Sequence, residues 1–397
     1  MAGPGGRLAP LYLDACATSP PAPEVLEAMA AVHAEAWANP SSLHGFGLAA
    51  AEALERARLT CASCLGCSPT EVVFTSGGTE SIHLALLGSG AVLPQGRLLL
   101  SRIEHPATEA AALRLMEQGW QRLHLPVDRQ GHLDLEALEG ALEPPTRLMS
   151  VIWGQSEVGT LQDLTAIGER CRKAGVLLHV DAVQVVGHCP VNIADLPVDL
   201  LSLAGHKLQG PRGVGALVVR EGTPLHGLLG GGGQEAGRRA GTEPVALAVG
   251  LARALELATT RLALHGGHDP LADLRNQLLE SLLKRPGLTL TGPDPRWDSH
   301  CRLPHHLSLL VASSTGESLS GRALVRALWQ EGIAASSGSA CSSRTSAASP
   351  VLLALGYGPP QAGSGLRLSL GPWIEADQLP WVTDAFERAR QRVSAGS

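Results

Sequence analysis

Residues 198–210 read V-D-L-L-S-L-A-G-H-K-L-Q-G, an apolar run of strand length that leads straight into His206 and Lys207. A lysine is rarely buried without a partner, because stripping water from an ammonium is costly. At a strand end it can snorkel to solvent. It can equally be an amine kept for covalent chemistry. The surrounding sequence decides between them. From about residue 68 to 220, apolar runs such as E-V-V-F-T, R-L-L-L-S-R-I-E-H, L-M-S-V-I-W-G, V-L-L-H-V-D-A-V and V-G-A-L-V-V-R alternate with helical patterns. Short continuous apolar strands separated by helices predict an α/β fold with a mostly parallel central sheet covered by helices. A long helical stretch, P-V-A-L-A-V-G-L-A-R-A-L-E-L-A, leads out of this region. Beyond about residue 262 the pattern is mixed helix and strand, which predicts a smaller α+β domain. The expected division is a large domain over 16–262 and a small one formed by 1–15 and 263–397.

The chain of 397 residues is 44% hydrophobic and 17% charged, values of a folded globular protein. A net charge of -6 with scattered basic residues argues against nucleic acid as a partner. No apolar stretch approaches the ~18 residues that span a bilayer. The N-terminus lacks the apolar region of a signal peptide, so no membrane association and a cytoplasmic location are expected. Eight cysteines are too dilute for a disulfide scaffold. Cys61, Cys64 and Cys67 match part of an iron–sulfur run, but the fourth ligand is missing. Cys61 and Cys64 also continue the apolar stripe of a helix, where free cysteine behaves as a small hydrophobe. His265, His268, His305 and His306 lack Cys or carboxylate partners at ligand spacing and read as surface or structural. No metal site is expected.

Parallel sheets bind ligands at the carboxyl ends of their strands. After E-V-V-F-T comes Ser76-Gly77-Gly78-Thr79-Glu80, a helix start whose free N–H groups suit a phosphate. After R-L-L-L-S-R-I-E comes His105; after V-L-L-H-V come Asp181 and Gln184; after L-L-S-L-A-G come His206 and Lys207. Pyridoxal phosphate needs a lysine for its Schiff base, a carboxylate to keep the pyridinium nitrogen protonated, a phosphate anchor and a flat cover for the ring. Lys207, Asp181, Gly78–Thr79 and His105 meet those four needs on one rim.

From L-Y-L-D-A-C-A-T-S-P (11–20) to S-G-L-R-L-S-L-G (364–371) the chain resembles the cysteine desulfurases. These are pyridoxal-phosphate enzymes of fold type I, in the class-V aminotransferase group that also holds the selenocysteine lyases. N-P-S-S-L-H-G-F-G, F-T-S-G-G-T-E-S, I-E-H, H-V-D-A-V-Q, G-H-K, G-G-G-Q-E, R-A-G-T and S-S-G-S-A-C carry the likeness, in order. The resemblance implies that the large domain binds the cofactor. It implies Lys207 as the Schiff-base lysine, Asp181 at the ring nitrogen, Gln184 at the ring hydroxyl and His105 stacked on the ring with a catalytic part. It places Thr79 and His206 on the phosphate, and Thr242 on the phosphate of a partner subunit in a homodimer. Asn39 and Arg367 would hold the substrate carboxylate, Arg367 as a bidentate fork.

The small domain would carry Cys341 in S-S-G-S-A-C-S-S-R-T-S-A-A-S-P, a composition suited to a mobile surface loop. Arg344 would favour its thiolate. The implied reaction takes sulfur from L-cysteine, leaves L-alanine, and holds the sulfur as a persulfide for an acceptor protein such as an iron–sulfur scaffold. Selenocysteine lyase activity on L-selenocysteine, or a weakly active binding partner in a sulfur-transfer complex, are the alternatives. Four positions depart from the family pattern. Gln155-Ser156-Glu157 stands for Asn-Asn-Glu, so the cofactor contact expected at Ser156 would be shortened or lost. Ala204 replaces the serine before Gly-His-Lys, as in the selenocysteine lyases. Ala15, followed by Cys16, replaces an Asn, and Pro372 replaces an Arg.

Overall fold

The computed structural model describes residues 10–338 and 348–395. After β1 (Leu11–Tyr12) come helices α1 (Pro23–Glu35) and α2 (Gly45–Leu65), then β2 (Val72–Thr75), α3 (Gly78–Gly90), β3 (Arg97–Ser101), α4 (Pro106–Glu117) and β4 (Gln121–Leu125). The alternation continues through α5 (Leu135–Ala141), β5 (Thr146–Ile152), α6 (Leu164–Ala174), β6 (Leu177–Asp181), β7 (Leu200–Ala204) and β8 (Gly215–Val219). These strands build a seven-stranded sheet in the order β2-β8-β7-β6-β5-β3-β4. Only β8 runs against the others, pairing antiparallel with both β2 and β7. The expected mostly parallel sheet is present. Its central strands are buried on both faces, which is why β7 and β8 read as unbroken apolar runs.

Local chemistry sets the helix ends. The Asp163 carboxylate accepts from the Ala166 N–H at the start of α6, a cap worth about 1 kcal/mol. Gly175, with φ of 67°, ends the same helix in a left-handed conformation that glycine adopts without a Cβ clash. The chain therefore turns back directly into β6.

Helix α7 (Val245–Leu264) packs against α1 and α2 and leads to a second region. That region contains α8 (Leu271–Leu283), β9 (Leu288–Leu290), β10 (His306–Val311), α9 (Gly321–Gln330), β11 (Ile333–Ala334), α10 (Pro350–Ala354), α11 (Pro359–Ala362), β12 (Gly365–Ser369) and α12 (Leu379–Ala395). An antiparallel sheet β12-β10-β9 and the pair β1-β11 lie here. A separate core joins Leu278, Leu309, Leu328, Leu366 and Phe386 with Leu11 and Leu13 from the N-terminal segment. That segment thus packs with the C-terminal third of the chain and bridges back through Asp14 to Ser369.

Candidate active site

The carboxyl ends of the parallel strands meet at an open-mouthed cavity of about 840 Å³, counting the space open to solvent at its mouth. His105, Ser156, Asp181, Gln184, Lys207 and Arg367 all line it. His105 follows β3 and caps α4, its Nδ1 accepting from the Ala107 N–H at 3.1 Å. The ring proton therefore sits on Nε2, and burial lowers the basicity of this histidine, with Asp181 opposing the shift. A neutral ring on the cavity wall is suited to stack on an aromatic ligand.

Asp181 ends β6 and is buried; its Oδ1 accepts from the Val183 N–H at 3.0 Å. Burial raises its carboxyl, while His105 and Lys207 pull it down. Two residues back on the same strand, His179 lies between the hydroxyls of Ser150 on β5 and Ser202 on β7, 2.8 Å from each. Burial holds His179 neutral, lowered to about 3, so the bridge is a polar tie across three strands beneath Asp181.

Lys207 follows β7. Its Nζ donates to the carbonyls of Cys16 at 2.5 Å and Ala17 at 2.9 Å. Gln184 Nε2 donates to the same Cys16 carbonyl at 2.9 Å. The segment 16–19 also meets His206: the Thr18 hydroxyl lies 3.1 Å from its Nδ1, and Ser19 Oγ donates to its carbonyl. Burial, with Lys207 adding, lowers His206 to about 4.

The expected phosphate residues Gly78, Thr79 and His206 do not line this cavity; the turn at Gly78 instead packs against Val183, which does. A Cβ added to Gly78 would stand 2.8 Å from the Val183 side chain and 3.7 Å from the Ala204 methyl, so α3 starts against the ends of β6 and β7. Gly77 precedes it with φ of 146°, a conformation that favours glycine. Thr79 is exposed on the first turn of α3. An amine, a buried carboxyl and a neutral aromatic ring around one cavity, with a glycine-rich helix start packed against its Val183 wall, fit the donor set of pyridoxal phosphate. Asn39 and Thr242 are exposed and do not line this cavity. Cys341 lies outside the described residues.

Arg367, on β12, is 2% exposed. Its Nη2 donates to Asp14 Oδ1 at 2.8 Å and its Nη1 to the Ser156 carbonyl at 3.0 Å. Two of its donors are thus taken by protein groups, and Nε is buried without a partner among the described residues. At position 156 the backbone, not the side chain, makes the contact. Gln155 turns its amide inward, donating to the Ile103 carbonyl and accepting from the Val158 N–H. Glu104 also borders the cavity: its Oε1 accepts from Ser101 and the Ile152 N–H, and burial pushes its carboxyl up to about 8.

His305 and His306 prove buried rather than superficial. Cys16 Sγ lies 3.2 Å from His305 Nε2, and the His305 ring stacks on His188 at 3.7 Å. Burial raises the Cys16 thiol and lowers His305, so the contact joins a neutral thiol and a neutral imidazole. Burial likewise raises Cys61, Cys64 and Cys67.

The aminotransferase class-V family model matches residues 11–380. The chain is 38% identical over 386 residues to the cysteine desulfurase IscS of Dictyoglomus turgidum, covering 96% of this chain and 95% of that one. Among solved structures, a NifS-like protein superposes with a TM-score of 0.86 at 32% identity, covering 97% of this chain and all of the other. SspA in complex with cysteine superposes with a TM-score of 0.78 at 30% identity, covering 92% and 99%. A strand-end lysine, a buried strand-end carboxyl and a histidine-capped helix around one cavity are thus accompanied by near full-length likeness in sequence and fold. The chain belongs to the cysteine desulfurase family within the class-V aminotransferases.

Proposed function

We propose that the protein is a pyridoxal-phosphate-dependent cysteine desulfurase that takes sulfur from L-cysteine, releases L-alanine, and passes the sulfur on from Cys341 as a persulfide. The observation that carries this reading is the single cavity walled by Lys207, Asp181, His105, Gln184 and Arg367. Bound there, the cofactor would serve as an electron sink for the substrate carbon. Lys207 would attach it, Asp181 hold its ring nitrogen, Gln184 its ring hydroxyl, His105 its face, and Gly78, Thr79 and His206 its phosphate. The carbonyls of Cys16 and Ala17 give the Lys207 ammonium a place to keep a proton, which suits the lysine to carry protons at the substrate carbon.

Cys341 supplies the acceptor for the sulfur. Its thiolate attacks the substrate sulfur; an S–S bond forms as the C–S bond breaks, and the carbon fragment takes the electron pair. The described chain on either side touches the site. Ser336 bridges Arg367, and Pro350 and Val351 line the cavity. Cys341→Ala should still bind cofactor and L-cysteine yet lose alanine formation by on the order of a thousandfold or more, the scale of removing a nucleophile. Selenocysteine should be processed better than cysteine by this variant, because selenium leaves more easily without a covalent acceptor. Normal cysteine turnover in the variant, measured as alanine, would remove Cys341 from the mechanism.

A homodimer accounts for the exposed Asn39 and Thr242. Trp37, Leu43, Phe46 and Leu48 stand exposed around Asn39, and Leu228 and Leu229 lie on the stretch that leads to Thr242. An apolar set of this kind fits a partner subunit, across which Thr242 would reach the second phosphate. No described helix is long and apolar enough to cross a membrane. The seven cysteines among the described residues are free, which suits a reducing compartment such as the cytoplasm, with a soluble sulfur acceptor such as an iron–sulfur scaffold.

Ala204 bears on cofactor retention. Its methyl faces the Gly78 turn, where the usual serine would add a hydroxyl. One hydrogen bond to a charged group contributes about 1–3 kcal/mol. Ala204→Ser should therefore slow cofactor loss on dialysis; unchanged or faster loss would contradict it. The proposal as a whole is tested by one visible spectrum with added pyridoxal phosphate and an alanine assay on L-cysteine. Protein that stays colourless and forms no alanine would overturn it.

A further inference from the structure

The guanidinium of Arg367 is gripped from two sides, and each grip comes from a different part of the chain. On one side stands Asp14, from the N-terminal segment, 2.8 Å from Nη2. On the other stands the Ser156 carbonyl, 3.0 Å from Nη1. That carbonyl also accepts from His306 Nε2 at 3.1 Å. His306 opens β10 and pairs with Ser369, two residues beyond Arg367 on β12.

The tautomer of His306 follows from its other neighbour. Arg302 Nη1 lies 3.2 Å from His306 Nδ1, and an arginine can only donate. Nδ1 is therefore the acceptor, and the proton sits on Nε2, aimed at Ser156. Arg302 is itself fully buried, with Nε on the Pro293 carbonyl and Nη2 on the Thr291 carbonyl. Donors thus run Arg302 to His306 to the Ser156 carbonyl, which Arg367 meets from the other side. A cationic imidazole has no place between Arg302 and Arg367, and burial with both arginines keeps His306 neutral.

A planar guanidinium has five N–H bonds in fixed directions. With Nη1 and Nη2 each engaged, Nε remains buried and unpartnered among the described residues, on a side chain that lines the cavity. A buried unsatisfied donor is costly unless an acceptor arrives. We propose that Asp14 and His306 are positioning residues for substrate-carboxylate recognition: together they hold Arg367 so that its unpartnered edge meets the carboxylate. Asp14 acts on Arg367 directly, and His306 acts through the Ser156 carbonyl. The proposal rests on the reading that Arg367 binds the substrate carboxylate.

Asp14 could instead compete with the substrate for Arg367. The geometry favours positioning, because Asp14 occupies Nη2 and leaves Nε unspent. The test compares L-cysteine with cysteamine, which has the same thiol and amine but no carboxylate, using the holoenzyme. Asp14→Asn should raise the KM for L-cysteine about tenfold or more while kcat changes much less, a loss of binding rather than of chemistry. The concentration of cysteamine that half-saturates the spectral change of the holoenzyme should not move. His306→Leu should act in the same direction, and His306→Gln, whose amide can still donate to Ser156, should recover most of the affinity. The cysteamine titration also reports that each variant is folded and loaded. An unchanged or lowered KM for L-cysteine in Asp14→Asn would overturn the proposal, as would equal losses with both ligands. Arg367→Ala separates the two readings. If it leaves the KM for L-cysteine unchanged, the assignment of Arg367 falls. If it raises the KM while Asp14→Asn and His306→Leu do not, only the positioning role falls.

Discussion

Lys207→Ala should leave no cofactor that borohydride can fix to the chain, no visible band after dialysis, and no measurable alanine from L-cysteine. The expectation is severe because the chain has only three lysines. Lys173, at the end of α6, and Lys284, after α8, are exposed and line no part of the cavity. No second amine can take over, and the methyl of alanine can neither attach a cofactor nor carry a proton. The carbonyls of Cys16 and Ala17 would lose their lysine donor. A borohydride-fixed adduct in the variant, located by peptide mass, would show that attachment occurs elsewhere.

Asp181→Asn should separate binding from chemistry. The side chain is 3% exposed, so the substitution changes charge while keeping shape. An amide can still fill the space beside the Val183 N–H, and cofactor should remain bound. What disappears is the negative charge that holds a pyridinium nitrogen protonated. Turnover should fall by at least about a hundredfold, the scale of losing one preorganised electrostatic contact in an active site. The cofactor content of the purified variant and its alanine yield check this together. Near-normal rates at full cofactor content would place the ring-nitrogen partner elsewhere.

What could be read in the sequence was whatever side-chain identity carries. The apolar runs before His105, Asp181 and Lys207 announced strands, and the parallel topology then required their ends to share one rim. Backbone acceptors carry no such signal. Nothing in the letters Cys16-Ala17 says that their carbonyls receive Lys207, nor that the Ser156 carbonyl, rather than its hydroxyl, meets Arg367. Asp14 was in plain view within L-Y-L-D, yet its pairing with Arg367 spans 353 positions and depends on a bridge between Asp14 and Ser369. His306 lacked any ligand-like spacing because its partners, Arg302 and a carbonyl, belong to no metal or catalytic motif. Glu104 stood beside His105 in I-E-H, but its burial depends on β5 lying alongside β3.

The N-terminal segment has a mechanical consequence. Leu11 and Leu13 are embedded in the C-terminal core, whereas the carbonyls of residues 16 and 17 cradle a lysine rooted in the seven-stranded sheet. A short hydrogen-bonded turn, in which the Ala17 N–H donates to the Asp14 carbonyl, therefore acts as a tether between two bodies of packing. Any slippage of one body against the other is delivered, undiluted by a flexible linker, to the Lys207 amine that those carbonyls hold. Stiffness at this junction is then a property that selection can adjust without touching a single residue on the cavity wall.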